Sequence, residues 1–507
     1  MNTKLRPSAI AAAALIALAV TSTKAHGQDR SDAKAAGSPA AKSAAADKAL
    51  KEALAVLEAA EGDTMIRARL WCEVAAFHRT RGDRAGAVEA LGKSRKVAES
   101  TGQPAISEWR QIGAEYARLG DAKAVLDLAA GVPTMMENWR GNPRETVLQE
   151  AARAAAEAGQ IKPAEEVAAA LPDGPGRKAV EAAIAREAMI HQAAAGDAAG
   201  AIKIAVKLPN TAATVFALVG QPILNLAYDD NTRHPDGIAP AQLIAGDKAG
   251  ATQSTQSALA LLPEVEEARR PVAALAVVRM LARLDDLPAA RKAMAHIPPA
   301  DPKADPAGAG RRWVIELLAN GYLAAAEVRA GRDEAAAALA EDFSKPGEKA
   351  YVLHFAALAQ ARAGRKTESA ATFARAIELV TKNPDPDGGG TSLHNIASAQ
   401  AAARDFAGAA KTVGLLPDGS IAWSNLATYQ AEAGEFAAAR KTAVDHLADS
   451  PWWSARTLDF VADRQARAGQ EAAAREWIGQ LNDPLARAHA LFGLAKGLAL
   501  DERPPKK

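Results

Sequence analysis

The chain has 507 residues, 61 Lys and Arg against 60 Asp and Glu, and one cysteine; nearly half its residues are hydrophobic, yet only 4% are aromatic. The charge balance excludes a strongly basic nucleic-acid binder and an acidic disordered tail, and Cys72 standing alone excludes an intrachain disulfide or a cysteine-built metal site. Ala supplies much of the apolar total, which favours closely packed helices over sheets.

In chain order, Lys4 and Arg6 come first, an apolar run extends from about Ala9 to Val20, and Thr23 and Ala25 precede His26. A charged start, a short apolar stretch and a small-residue end mark residues 1–25 as a secretory signal. The run of about twelve residues is shorter than the roughly twenty needed to cross a bilayer. No integral membrane span is therefore expected after signal removal, and the expected location is periplasmic or secreted. Residues 26–46 contain no large apolar side chain and read as a flexible Ala-rich linker. Helical periodicity begins at Asp47, with Leu50, Leu54 and Leu57 at i, i+4 and i+7, and continues to about residue 500.

Internal repetition dominates that region. Turn glycines recur at Gly82, Gly120, Gly159, Gly196, Gly246, Gly331, Gly364, Gly434 and Gly469, and weaker turns fit at Asp285 and Arg404. Four are followed by Asp, at Asp83, Asp121, Asp197 and Asp247. Gly closes one helix in the left-handed conformation and Asp caps the next, so each unit is a helix–turn–helix. Five positions past the turn, nine of eleven units carry Ala, with Val125 and Ser369 as exceptions; a small residue there lets the second helix close on the first. Trp71, Trp109 and Trp423 lie eleven residues before their Gly, where Leu148, Leu353 and Leu458 stand in other units. Second helices are expected to be short where Val132-Pro133, Leu171-Pro172, Leu208-Pro209, Ile297-Pro298 and Leu416-Pro417 follow the turn.

WRQIGAEYARLGD, with Trp109, Ile112, Gly113, Tyr116 and Gly120, resembles the tetratricopeptide repeat, a helix pair of about 34 residues. WSNLATYQAEAGEF, with Trp423, Leu426, Ala427 and Gly434, closed by Pro451, is similar to it, and the unit around Gly364 adds Phe373 and Ala376. The resemblance covers about residues 64–297 and 311–500 and implies an all-α fold, an α-solenoid with a TPR-like superhelix. Two arms, 47–297 and 311–500, are expected on either side of a Pro/Gly linker at 298–310, with a tail at 501–507. The stretch 221–240 breaks the period and makes one step 50 residues long.

Catalytic signatures are absent: H-E-x-x-H, G-x-S-x-G and the phosphate-binding G-x-x-x-x-G-K-[ST] do not occur. The nine His are scattered, so no metal and no cofactor is expected. Asp229, Asp230, His234 and Asp236 share the 221–240 interruption and read as a solvated loop, with a metal or partner site as the sharper alternative. NPDPDGGG at 383–390 lacks the closing Glu of a calcium loop and reads as a turn. Cys72 reads as a small buried residue, with intermolecular pairing as the alternative.

The family resemblance implies a concave groove lined by first helices that holds a protein or peptide. Carried onto this sequence, its groove positions are Arg110, Arg118, His354, Arg362, Ser424 and Arg467. Arg118, Arg362 and Arg467 occupy the same place in their units and suit carboxylates. The Asn of the family's carboxylate clamp is replaced by Ala76, Ala114 and Thr428, which argues against that clamp. The expected function is a non-enzymatic interaction scaffold. The alternatives are a helical activator or accessory domain of cell-wall enzymes, and a small-ligand or metal receptor using 221–240. Lytic transglycosylases look similar in their Ala-rich helices, but the repeats here are expected to run to about residue 500 and leave no room for their catalytic domain.

Overall fold

The computed structural model describes residues 39–60, 64–100, 106–136, 141–205, 208, 210–221, 237–298, 309–383 and 389–499. The residues assigned to the signal, the 501–507 tail, most of the 298–310 linker and most of the 221–240 interruption lie outside these. All secondary structure among the described residues is helical.

Helix α1 (Pro39–Ala59) stands first. It starts eight residues ahead of the Asp47 periodicity, inside the stretch expected to be linker, because Ala-rich sequence is a good helix former once one face is packed. Helix pairs follow: α2 (Thr64–Thr80) with α3 (Arg84–Glu99), α4 (Ile106–Arg118) with α5 (Ala122–Ala130), α6 (Pro143–Glu157) with α7 (Ile161–Ala169), and α8 (Pro175–Ala194) with α9 (Ala198–Ala205). The fifth unit has three helices, α10 (Thr211–Val219), α11 (Ile238–Ile244) and α12 (Lys248–Leu261). Then come α13 (Arg270–Arg283) with α14 (Leu287–Met294), α15 (Ala309–Arg329) with α16 (Asp333–Glu341), and α17 (Pro346–Arg362) with α18 (Lys366–Lys382). The last pairs are α19 (Gly389–Ala402) with α20 (Phe406–Val413), α21 (Ser420–Glu432) with α22 (Phe436–His446), and α23 (Pro451–Arg467) with α24 (Glu471–Gly479); α25 (Pro484–Ala499) ends the array.

Local chemistry sets these units. All nine turn glycines have positive φ, and so do Asp285 (62°) and Arg404 (64°), the two turns without Gly. The amide of Asp83 donates to the His78 carbonyl and that of Gly82 to the Arg79 carbonyl, which closes α2 in a Schellman turn. The Asp83, Asp121, Asp197 and Asp247 side chains then accept the amide three residues on, and Asp286 and Asp405 do the same after the weaker turns. The residue five past every turn is buried, including Val125 and Ser369. The Pro-terminated second helices α5, α7, α9, α14 and α20 are eight or nine residues long.

A signal shared by five of the eleven units joins Gln four residues before the turn to a donor twelve residues later. Gln242 accepts from Ser254, Gln360 from Thr372, Gln400 from Thr412, Gln430 from Thr442 and Gln465 from Trp477, at 2.7–2.9 Å. Each bond ties a first helix to its second.

The 50-residue step has a simple cause. α10 and α11 both pack on α8, α9 and α12, and together they occupy one first-helix position. A Cβ on Gly237 would lie 2.4 Å from the Gly220 amide nitrogen, so backbone meets backbone where the helix is interrupted. Removing residues 221–236 from the count leaves a step of 34 residues.

First helices pack on first helices from α2 round to α25, and α13 and α14 pack directly on α15 across the 298–310 stretch. Of the two large apolar cores, one spans residues 189–399 and the other joins 46–184 to 427–499, with two small clusters around Val413 and Leu426 between them. Packing is therefore continuous across the expected linker, and the two ends of the chain share a core. α1 lies along α25 and serves as its second helix, while α2 packs on α25 as the next first helix. The α-solenoid is closed into a ring.

Candidate functional site

The ring's seam brings ionisable side chains from both ends of the chain together. On α25, His489, Gly493, Lys496 and Gly497 follow helical spacing and share one face, within a helix whose only other charged residue is Arg487. That face meets Asp459 and Asp463 of α23. A Cβ at Gly493 would lie 2.0 Å from the Asp459 carbonyl oxygen, and one at Gly497 would lie 2.3 Å from that of Asp463. Two glycines four apart thus let the helices touch backbone to backbone. From the other end of the chain, α2 brings Phe77, edge-on to Phe492 at 5.8 Å, and Glu73 one turn earlier.

Lys496 Nζ donates to Asp459 Oδ2 at 2.7 Å and stands 4.0 Å from Glu73 Oε2. His489 is 1% exposed, with the Trp452 ring edge-on at 6.3 Å, and Trp452 in turn carries the Arg69 guanidinium on its face at 4.8 Å. Among the described residues, neither His489 ring nitrogen has a hydrogen-bond partner. Burial pushes the Asp459 carboxyl up to about 7 against the pull of Lys496, and Glu73 adds to the rise. Burial holds His489 down to about 4, partly offset by Glu73, so its imidazole is neutral at pH 7. Burial also raises Glu73, but Lys496, His489 and Arg456 more than reverse this and leave it below the usual carboxylate range.

The groove residues expected from the sequence sit on four first helices, α4, α17, α21 and α23. Arg110 pairs with Glu150 at 3.0 Å, Arg118 with Glu115 at 2.6 Å and Glu157 at 3.8 Å, and Arg467 with Asp463 at 2.9 Å. Arg362 is exposed at the end of α17. Ser424 is buried and shares a 2.8 Å hydrogen bond with Thr457 of the next first helix. His354 is fully buried, and burial lowers it to about 3. The Ser424 bond joins two first helices, and neither side chain is presented to solvent.

Asp229, Asp230, His234 and Asp236 lie outside the described residues, as does the middle of 383–390. Cys72 is buried, with its Sγ 3.2 Å from Ser94 Oγ, and burial pushes the thiol up. The seam itself escaped the sequence reading, although Gly493-x-x-x-Gly497 in the last helix was a visible sign of a close helix approach.

No family model matches the chain, and no curated protein matches it. Among solved structures, it is similar to one described as "Circular tandem repeat protein with novel repeat topology and enhanced subunit contact surfaces". The identity is 12%, the alignment covers 90% of this chain and 98% of that one, and the TM-score is 0.19. At that score the likeness carries no argument; the helical repeat fold rests on the chain's own turns and packing. No described helix is long and apolar enough to cross a membrane.

Proposed function

We propose that the chain is an exported, non-enzymatic scaffold of divergent tetratricopeptide type, which binds a protein or peptide partner along its repeated helices. The observation that supports this best is the common register of eleven helix–turn–helix units, since stacked like elements offer an extended surface in place of one enclosed pocket. Two clefts, lined mostly by second helices, are too small to favour a small-molecule reading instead. One of about 190 Å³ is lined by Asp333, Leu353, Gln360 and Arg375, and one of about 270 Å³ by Phe436, Arg440, Gln465 and Trp477. Both are smaller than the roughly 300–1,000 Å³ usual for small-molecule sites. Arg110, Arg118 and Arg467 are the groove residues best suited to the task. Arg110 and Arg118 are half-buried, Arg467 is exposed, and each is already paired with a carboxylate, so an acidic partner would exchange for that carboxylate and gain a two-point hydrogen bond.

The test is photo-crosslinking in the native cells from residues 118 and 467, with exposed Val444 on α22 as the control position. The expected result is one dominant protein joined at 118 or 467 and absent from 444. Crosslinks only within the chain would overturn the proposal.

A further inference from the structure

A metal site needs deprotonated donors that converge from rigid elements. At the seam, one ligand atom from each of Glu73, Asp459 and His489 lies within 4.8 Å of the other two. The three residues come from α2, α23 and α25, helices at opposite ends of the chain. Buried polar atoms in folded proteins nearly always have a hydrogen-bond partner. Here both nitrogens of a 1%-exposed imidazole have none among the described residues. Lys496 accounts for Asp459 Oδ2, and the Glu73 carboxyl shares a hydrogen bond with Asp459, but the imidazole is left unbonded.

We propose that Glu73, Asp459 and His489 bind one divalent transition-metal ion of the zinc class, which clamps α2 to α23 and α25 and so locks the ring. The donor set selects the class: imidazole suits zinc and its neighbours, whereas calcium and magnesium take oxygen ligands. Three protein ligands leave a fourth tetrahedral position for water. Glu73, with 27% of its side chain exposed, opens the site to solvent. Asp459 ligates through Oδ1 and keeps Lys496 on Oδ2. The ion replaces the 4.0 Å contact of Lys496 with Glu73, and the ammonium acts as the ion's competitor.

The experiment uses the full mature chain without a polyhistidine tag, stripped with chelator and titrated calorimetrically with zinc chloride; cobalt(II) serves as the visible probe of coordination. The expected result is one ion per chain and a higher Tm in its presence. Glu73→Gln and His489→Gln each weaken binding by more than the roughly 10–100-fold that loss of an outer-shell group costs. Lys496→Met binds at least as tightly as the native chain. If His489→Gln fails to fold by circular dichroism, Glu73→Gln, at the half-buried rim, decides alone. The proposal is overturned by the absence of binding near one ion per chain, by affinity unchanged in Glu73→Gln, or by weaker binding in Lys496→Met.

Discussion

Glu52 and Arg475 are 423 positions apart and form an ion pair at 2.8 Å. The pair ties α1 to α24, across the place where the array would otherwise end. A surface pair of this kind contributes little by itself, roughly 0–1 kcal/mol. The apolar face beside it does more: Ala46, Ala49, Leu50, Ala53 and Leu57 of α1 are all buried, and α1 lies along α25.

Leu57, 1% exposed, tests this closure. Leu57→Ala should destabilise by about 2–5 kcal/mol, as expected for a buried Leu. Hydrogen exchange should quicken in residues 484–499 as well as in α1, while α13 stays protected. Exchange that quickens only near residue 57 would mean the ends are not joined in solution.

Gly493 and Gly92 are both helical and should respond oppositely to Ala. At Gly493 the new methyl would meet the Asp459 carbonyl, and separating α23 from α25 should cost about 1–3 kcal/mol or more, as overpacking does. At Gly92 nothing lies within 4 Å of the new Cβ, so the better helix former should stabilise by roughly 0.5–1 kcal/mol. Urea denaturation of the two variants distinguishes them.

Glu327 joins units on either side of residues 298–310. Its carboxylate is 2% exposed and accepts hydrogen bonds from Arg291 at 2.5 Å and Arg332 at 2.6 Å. Burial alone would raise its pKa, but the bonds and charges of the two guanidiniums more than reverse this and hold it below the usual range. A depressed folded-state pKa adds stability that is fully present above the unfolded value of about 4.3 and is lost as pH falls through the folded value. Glu327→Gln should therefore cost about 1–3 kcal/mol at pH 7, discounted because both arginines are half exposed. The difference from the native chain should shrink in denaturation curves taken at pH values falling below 4.3. A constant difference would show that the charge is not what matters.

Trp109 and Trp423 hold the same place in their units but differ in depth. Trp109 is 4% exposed, whereas Trp423 is only half-buried and stacks on His446 at 3.7 Å with the planes 4° apart. Trp109→Ala should cost about 3–5 kcal/mol, and Trp423→Ala less, about 1–3. Exchange in the second variant should quicken within residues 420–451. Equal losses would contradict the difference in burial.

Arg404 is exposed and turns the chain at φ 64°, where other units have Gly. A side chain in the left-handed region costs roughly 1–2 kcal/mol. Arg404→Gly should recover about 1 kcal/mol of that, net of the added freedom of the unfolded chain, and raise the urea midpoint.

The eleven turns were legible in the sequence because their physics is local. A positive φ at Gly82 and a capping Asp at Asp83 depend on about six neighbouring residues, and Ala87 five past the turn needs only its own partner helix. The same holds for the early stops at Val132-Pro133 and its counterparts. Even Asp285 and Arg404 could be placed, since the period around them demanded a turn. The Gln–Thr bonds were equally local, with a constant separation of twelve, and went unread because Gln carries no strong propensity of its own.

What the tertiary structure decided has no local sign. Docking of α1 on α25 depends on apolar faces more than 400 residues apart, and neither helix by itself names its partner. The fifth unit became a single interrupted helix only when Gly220 and Gly237 met. The groove residues matched a sequence position, but burial of His354 and Ser424 followed from how tightly neighbouring first helices pack. Glu73, Asp459 and His489 are unremarkable as separate residues; closing the ring brings them within 4.8 Å, because only the sum of all the unit-to-unit packing angles determines which helix meets which at the seam.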